Sequence, residues 1–162
     1  GNPDLVNLIL KKYAVINRTD KRGMSLLHKA GELKQADVAA LLIKKGIDVD
    51  TAANDGNTPL MIAASRGNAR TMKLLISRGA DVNAKNDVGN TPLILSVMAN
   101  SPASVKILLN AGANTSARND KREQAIHLAE LANNKRVLET LKEHEEKSGI
   151  FGFIACKANS SC

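Results

Sequence analysis

Apolar and polar positions recur along this chain at one fixed spacing. Leu27, Leu60, Leu93 and Ile126 stand 33 residues apart, as do Gly46, Gly79 and Gly112, and Ile16, Val49 and Val82. A period of that size, kept without insertion, signals a stack of similar supersecondary units. Within one period the apolar residues fall on two short helical faces: the first full unit predicts an inner helix near Leu26 to Glu32 and an outer helix near Ala36 to Lys44. An earlier helix over Pro3 to Lys12, with Leu8 in register with Leu41, reads as the second half of an incomplete unit, and Ile16 as its loop residue covering the next one.

The best copy is DGNTPLMIAASRGNARTMKLLISRGADVNAKN, Asp55 to Asn86. Thr58 can cap a helix, Pro59 can open it where a missing amide is harmless, and Gly79 can close the outer helix in a left-handed conformation. DVGNTPLILSVMAN with ILLNAGANTSARN is a second copy, whose outer helix starts at Ser101-Pro102. DKRGMSLLHKAGELKQADVAALLIKKGIDVDTA is a third, with Ser25 and Leu26 in place of Thr-Pro. There Lys34 holds the turn position of Gly67, so a distorted turn is expected. The last unit has Gln124-Ala125-Ile126 and no closing glycine, and its outer helix KRVLETLKEHEEK is polar on one side, as a terminal unit requires.

These motifs, in register over roughly residues 3 to 145, resemble the ankyrin repeat, a hairpin turn followed by two antiparallel helices. The resemblance implies an all-α solenoid: a partial repeat 1–19, repeats 20–52, 53–85, 86–118 and 119–147, and a tail 148–162. It also implies that the histidine after Thr-Pro-Leu bonds neighbouring loops, a role open to His28 and His127, which are equivalent. His144, on the charged outer helix, is expected to be solvated.

Composition narrows the alternatives. With 43% hydrophobic and 2% aromatic residues, the core must be aliphatic and close-packed through alanines such as Ala30, Ala63 and Ala129. The longest apolar runs fall far short of the ~20 residues of a membrane span. Cys156 and Cys162 are too few for a disulfide framework. Free thiols in a reducing, cytoplasmic setting are the expectation, with a tail disulfide as the alternative and a periplasmic or secreted-effector setting left open. Asn17, Asn114 and Asn159 fit the glycosylation pattern, which matters only in a secreted chain. The apolar stretch SGIFGFIACKANSSC is expected to fold back over the end of the array, the alternatives being a partner-binding or lipid-facing tail or disorder.

Catalytic patterns are missing. No histidine has a second ligand at metal spacing, and there is no nucleophile elbow or glycine-rich phosphate loop. Asp55, Asp87 and Asp120 read as turn residues. The chain therefore reads as non-enzymatic, without cofactor, metal or small-molecule substrate.

In ankyrin arrays partners lie on the hairpin tips and the exposed side of the inner helices. Carried over by register, that surface comprises Lys21, Arg22, Met24, Glu32 and Leu33, then Ala52, Asn54, Asp55, Asn57, Ser65 and Arg66. It continues through Lys85, Asp87, Val88, Asn90, Met98 and Ala99, and ends with Arg118, Asp120, Lys121, Glu123, Leu131 and Ala132. Among them Lys21, Arg22, Met24, Leu33, Asp55, Asn57, Arg66, Lys85, Asp87, Val88, Asn90, Met98, Arg118, Lys121 and Leu131 are the expected partner contacts. The chain's net charge of +7 suggests an acidic partner, yet this surface carries six positive and five negative residues. The excess falls on Lys44, Lys45, Lys73, Arg78, Lys106, Lys135 and Arg136, read as a solvated outer face. A nearly neutral groove without stacking aromatics disfavours nucleic acid. The function implied is protein binding through the concave groove; the alternative is a targeting or autoinhibitory segment of a larger enzyme or channel.

Overall fold

A computed structural model describes residues 18–147, which form eight helices in four antiparallel pairs. The inner helices are α1 (Leu26–Glu32), α3 (Pro59–Ser65), α5 (Pro92–Met98) and α7 (Ala125–Leu131). The outer helices are α2 (Ala36–Lys44), α4 (Ala69–Ser77), α6 (Pro102–Asn110) and α8 (Lys135–Lys147). Each inner helix packs on the next inner helix, and each outer helix on the next outer one. Among the described residues β-structure is limited to two isolated bridges, Thr19 with Ser25 and Arg118 with Gln124.

Local chemistry fixes the helix ends. The Thr58 hydroxyl accepts the Met61 amide at 3.4 Å, and Thr91 accepts that of Ile94 at 3.3 Å. Ser101 caps α6 ahead of Pro102, accepting the Ser104 amide at 3.3 Å. Each such cap contributes about 1 kcal/mol. Past α4 the chain turns through Gly79 at φ 88°, where the Gly79 amide bonds the Ile76 carbonyl and the Ala80 amide that of Leu75. In the last unit Glu145 stands where Gly112 would recur, and α8 runs on for 13 residues instead of nine.

The period becomes packing. Leu27, Leu60 and Leu93 form one fully buried row along the inner helices, and Leu75, Leu108 and Leu141 another along the outer ones. Ile126 ends the first row only partly buried, because among the described residues no further unit covers it. Ala30, Ala63 and Ala129 let the inner helices approach closely, as composition requires. Asn68 links units: its side-chain amide donates to the Gly31 carbonyl at 3.1 Å while its oxygen caps α4.

Three expectations are corrected. Lys34 does not distort its turn: it adopts φ 59°, close to the 64° of Gly67, and Asn100 and Asn133 follow at 52° and 49°. Holding a side chain there costs roughly 1 kcal/mol, which the stacked helices absorb. His144 is half-buried rather than solvated, lining a small cleft with Leu109 and Thr140. Turn chemistry also sits one residue before Asp87 and Asp120: the Asn86 oxygen accepts the amides of Val88 and Asn90, and the Asn119 oxygen those of Lys121 and Glu123. The helix over Pro3 to Lys12, Ile16, the tail with Cys156 and Cys162, and the Asn17 and Asn159 patterns lie outside the described residues.

Candidate functional site

The hairpin tips are joined backbone to backbone. The amide of Asn54 donates to the Arg22 carbonyl at 2.9 Å, Asp87 to Asp55 at 3.2 Å, and Asp120 to Val88 at 3.2 Å. Glycine is needed at the apex for two reasons. Gly56 has φ 74°, and a Cβ there would lie 2.7 Å from the Asp87 amide nitrogen. In the final tip Arg122 takes the same left-handed conformation at φ 64°. It is exposed, and among the described residues no following tip meets its side chain.

Close stacking also decides which predicted contacts face outward. Met24 and Asn90, only 7% and 8% exposed, do not project toward a partner. Asn57 is half-buried and belongs to the same row. The Asn86 amide donates to the Asn57 side-chain oxygen and the Asn119 amide to that of Asn90, both at 3.0 Å. Asn57 and Asn90 hold tip to tip, and Met24 lies buried at the equivalent position; register identified the position of all three but not their depth.

His28 is fully buried and performs the loop-bridging role. The Ser25 amide donates to Nδ1 at 3.0 Å, with the Ser25 hydroxyl 2.8 Å from the same nitrogen. Nε2 is therefore left to carry the proton and donate to the Asn57 carbonyl at 2.9 Å, in the next tip. Burial holds the imidazole below its ordinary pKa, partly offset by that carbonyl bond. His127 is exposed and makes no such bridge among the described residues.

The charged residues divide along the array. Lys29 lies 3.5 Å from the Asp20 carboxylate and 3.4 Å from that of Glu32, which in turn holds Arg66 at 2.9 Å. Lys29 above all, then Arg66, lowers the Glu32 pKa; the amides of Met24 and Arg22, joined by Lys29, lower that of Asp20. Burial raises the Asp55 carboxyl, but hydrogen bonds from Asn57 outweigh it and the net shift is downward. Further along, Lys85 reaches the Arg118 carbonyl at 2.8 Å, while Asp87, Arg118 and Lys121 are exposed.

Apolar exposure completes the surface: Leu33 is 62% exposed, Val88 56%, Met98 62% and Leu131 70%. Two depressions gather part of the predicted set. One of about 430 Å³, between the first two tips and inner helices, is lined by Lys21, Arg22, Asp55 and Arg66, with Met24 as floor. The other, about 960 Å³, holds Met98 and Leu131 together with Pro102, Lys135 and Arg136. Leu33, Asn57, Lys85, Asp87, Val88, Asn90, Arg118 and Lys121 line neither. Sequence reasoning missed Lys29 as the centre of the ion network; Lys135 and Arg136, read as part of a solvated face, are exposed, and they also line the larger depression. The signal was their place one short turn after Leu131.

Among the described residues no group of acidic, histidine or cysteine side chains is arranged to hold a metal, and no helix is long and apolar enough to cross a membrane. Stacked helix pairs presenting tied tips and a line of exposed apolar side chains define a repeat solenoid of the interaction-module class. A family model for three copies of the ankyrin repeat matches residues 1–86, and one for a single ankyrin repeat matches residues 88–120. The chain belongs to the ankyrin repeat family. Ankyrin repeats are generally protein–protein interaction modules, typically without enzymatic activity. No curated protein matches the chain.

Proposed function

We propose that this chain is a non-enzymatic recognition module that grips a protein partner across its tips and the outward side of its inner helices. Contacts would come from Lys21, Arg22, Leu33, Asp55, Arg66, Asp87, Val88, Met98, Lys121 and Leu131. The observation that carries this reading is that Leu33, Val88, Met98 and Leu131 are each more than half exposed, beyond the 42–43% of Leu26, Leu41 and Val38, the other large apolar side chains left open among the described residues. Large side chains left open among mixed charges suit a dry interface centre with a polar rim.

The test is partner capture by the intact chain against the double variant Leu33→Asp with Val88→Asp. Asp55 already occupies the tip position equivalent to Val88, so the fold should tolerate the change. Capture should fall at least tenfold with the melting curve unmoved; undiminished capture would place the interface elsewhere. The alternative reading, an inhibitory or targeting arm of a larger enzyme or channel, would use the same surface within one polypeptide.

A further inference from the structure

Below the tips, where α5 and α7 turn into α6 and α8, lies the depression of about 960 Å³. Met98, Leu128, Leu131 and Pro102 supply its apolar lining, Asn100, Asn133 and Asn134 its neutral polar lining, and Lys135 and Arg136 its charge. No carboxylate lines it, and neither cation forms an ion pair among the described residues. Lys29 and Arg66, at the other end of the array, are by contrast both neutralised. The floor is held in place: the Asn134 amide donates to the Asn100 side-chain oxygen, joining the two turns.

We propose that this depression binds an acidic, amphipathic peptide segment of the partner, seating an aliphatic side chain between Met98 and Leu131 with carboxylates against Lys135 and Arg136. The inference rests on the module reading above only in that the partner is a protein. Two uncompensated cations beside an apolar wall complement an occupant that is greasy at its centre and negative at its edge. Nucleic acid fits less well, because no aromatic side chain lines the depression for a base to stack on. The chain's own residues 148–162 also fit less well, since they contain no Asp or Glu to meet the rim.

The experiment is fluorescence anisotropy with the full chain and a short labelled peptide of leucines flanked by aspartates. Three comparators are the same peptide with lysines for aspartates, one with serines for leucines, and oligodeoxythymidylate. The leucine–aspartate peptide alone should bind saturably, more weakly as salt rises. Lys135→Glu with Arg136→Glu should reduce its binding at least tenfold and shift preference to the lysine peptide. Met98→Asp should weaken it without altering the melting curve. Equal binding of the lysine or serine peptide, tighter binding of the oligonucleotide, or no saturable binding would overturn the proposal. Leu33→Asp with Val88→Asp should leave peptide binding intact. Peptide failure with normal dependence of partner capture on Leu33 and Val88 therefore sinks this inference alone, and the reverse pattern sinks only the other.

Discussion

The first and fourth units fill the same register positions, yet they use them differently. His28 is buried and ties its tip to the next, whereas His127 is exposed and ties nothing. Gly23 packs against Asn54 so closely that a Cβ would overlap it, whereas Arg122 carries a full side chain at the same apex. Leu27 is fully buried while Ile126 is only partly covered. One cause explains all three: each unit is finished by the unit that follows it, and among the described residues nothing follows the fourth. A register position acquires its structural role only from a neighbour.

The sharpest way to break this comparison is to truncate the two histidines separately. His28→Ala should cost about 2–4 kcal/mol in urea denaturation, because it opens a cavity and strands the Ser25 amide and the Asn57 carbonyl. His127→Ala should stay within about 0.5 kcal/mol, and equal losses would refute the neighbour argument. Gly56→Ala comes next: a left-handed backbone and a contact with the following tip should together cost about 2 kcal/mol, while Arg122→Gly should gain up to about 1 kcal/mol.

Acid should probe the same asymmetry. The unfolded histidine titrates near 6.5 and the folded His28 below that, so on acidification the unfolded state takes up the proton first. Stability should therefore fall as pH drops below about 6.5. The slope should vanish in His28→Ala and survive in His127→Ala. The lowered carboxyls of Glu32, Asp20 and Asp55 add a separate loss below about pH 4. Lys34→Gly should raise stability by roughly 0.5–1 kcal/mol by relieving the left-handed turn. Smallest of all, Arg66→Gln should change stability by less than about 0.5 kcal/mol, since its bond to Glu32 is exposed to solvent.

The helices were legible because burial, capping and chain reversal each leave a residue signature repeated every 33 positions. Thr58-Pro59, Ser101-Pro102 and Gly79 mark boundaries through local chemistry, and local chemistry can be read from sequence. The surface was legible in part. Leu33, Val88, Met98 and Leu131 emerge where register placed them, but Met24, Asn57 and Asn90 withdraw, because depth depends on how closely successive tips approach. Whether a turn tolerates a non-glycine residue is likewise a tertiary matter, which is why Lys34 was misread. Lys135 and Arg136 could be placed on a helix from sequence, but the wall beside them is completed by Met98 and Pro102, 33 or more positions upstream.

The main-chain bonds running from Arg22 to Asn54, Asp55 to Asp87 and Val88 to Asp120 join successive tips through groups that every residue carries. Substitution at Val88, whose exposed side chain takes no part in that joining, rewrites the displayed surface while leaving the track beneath it in place. Such a molecule can be retuned to a new target one letter at a time, without re-solving its own architecture.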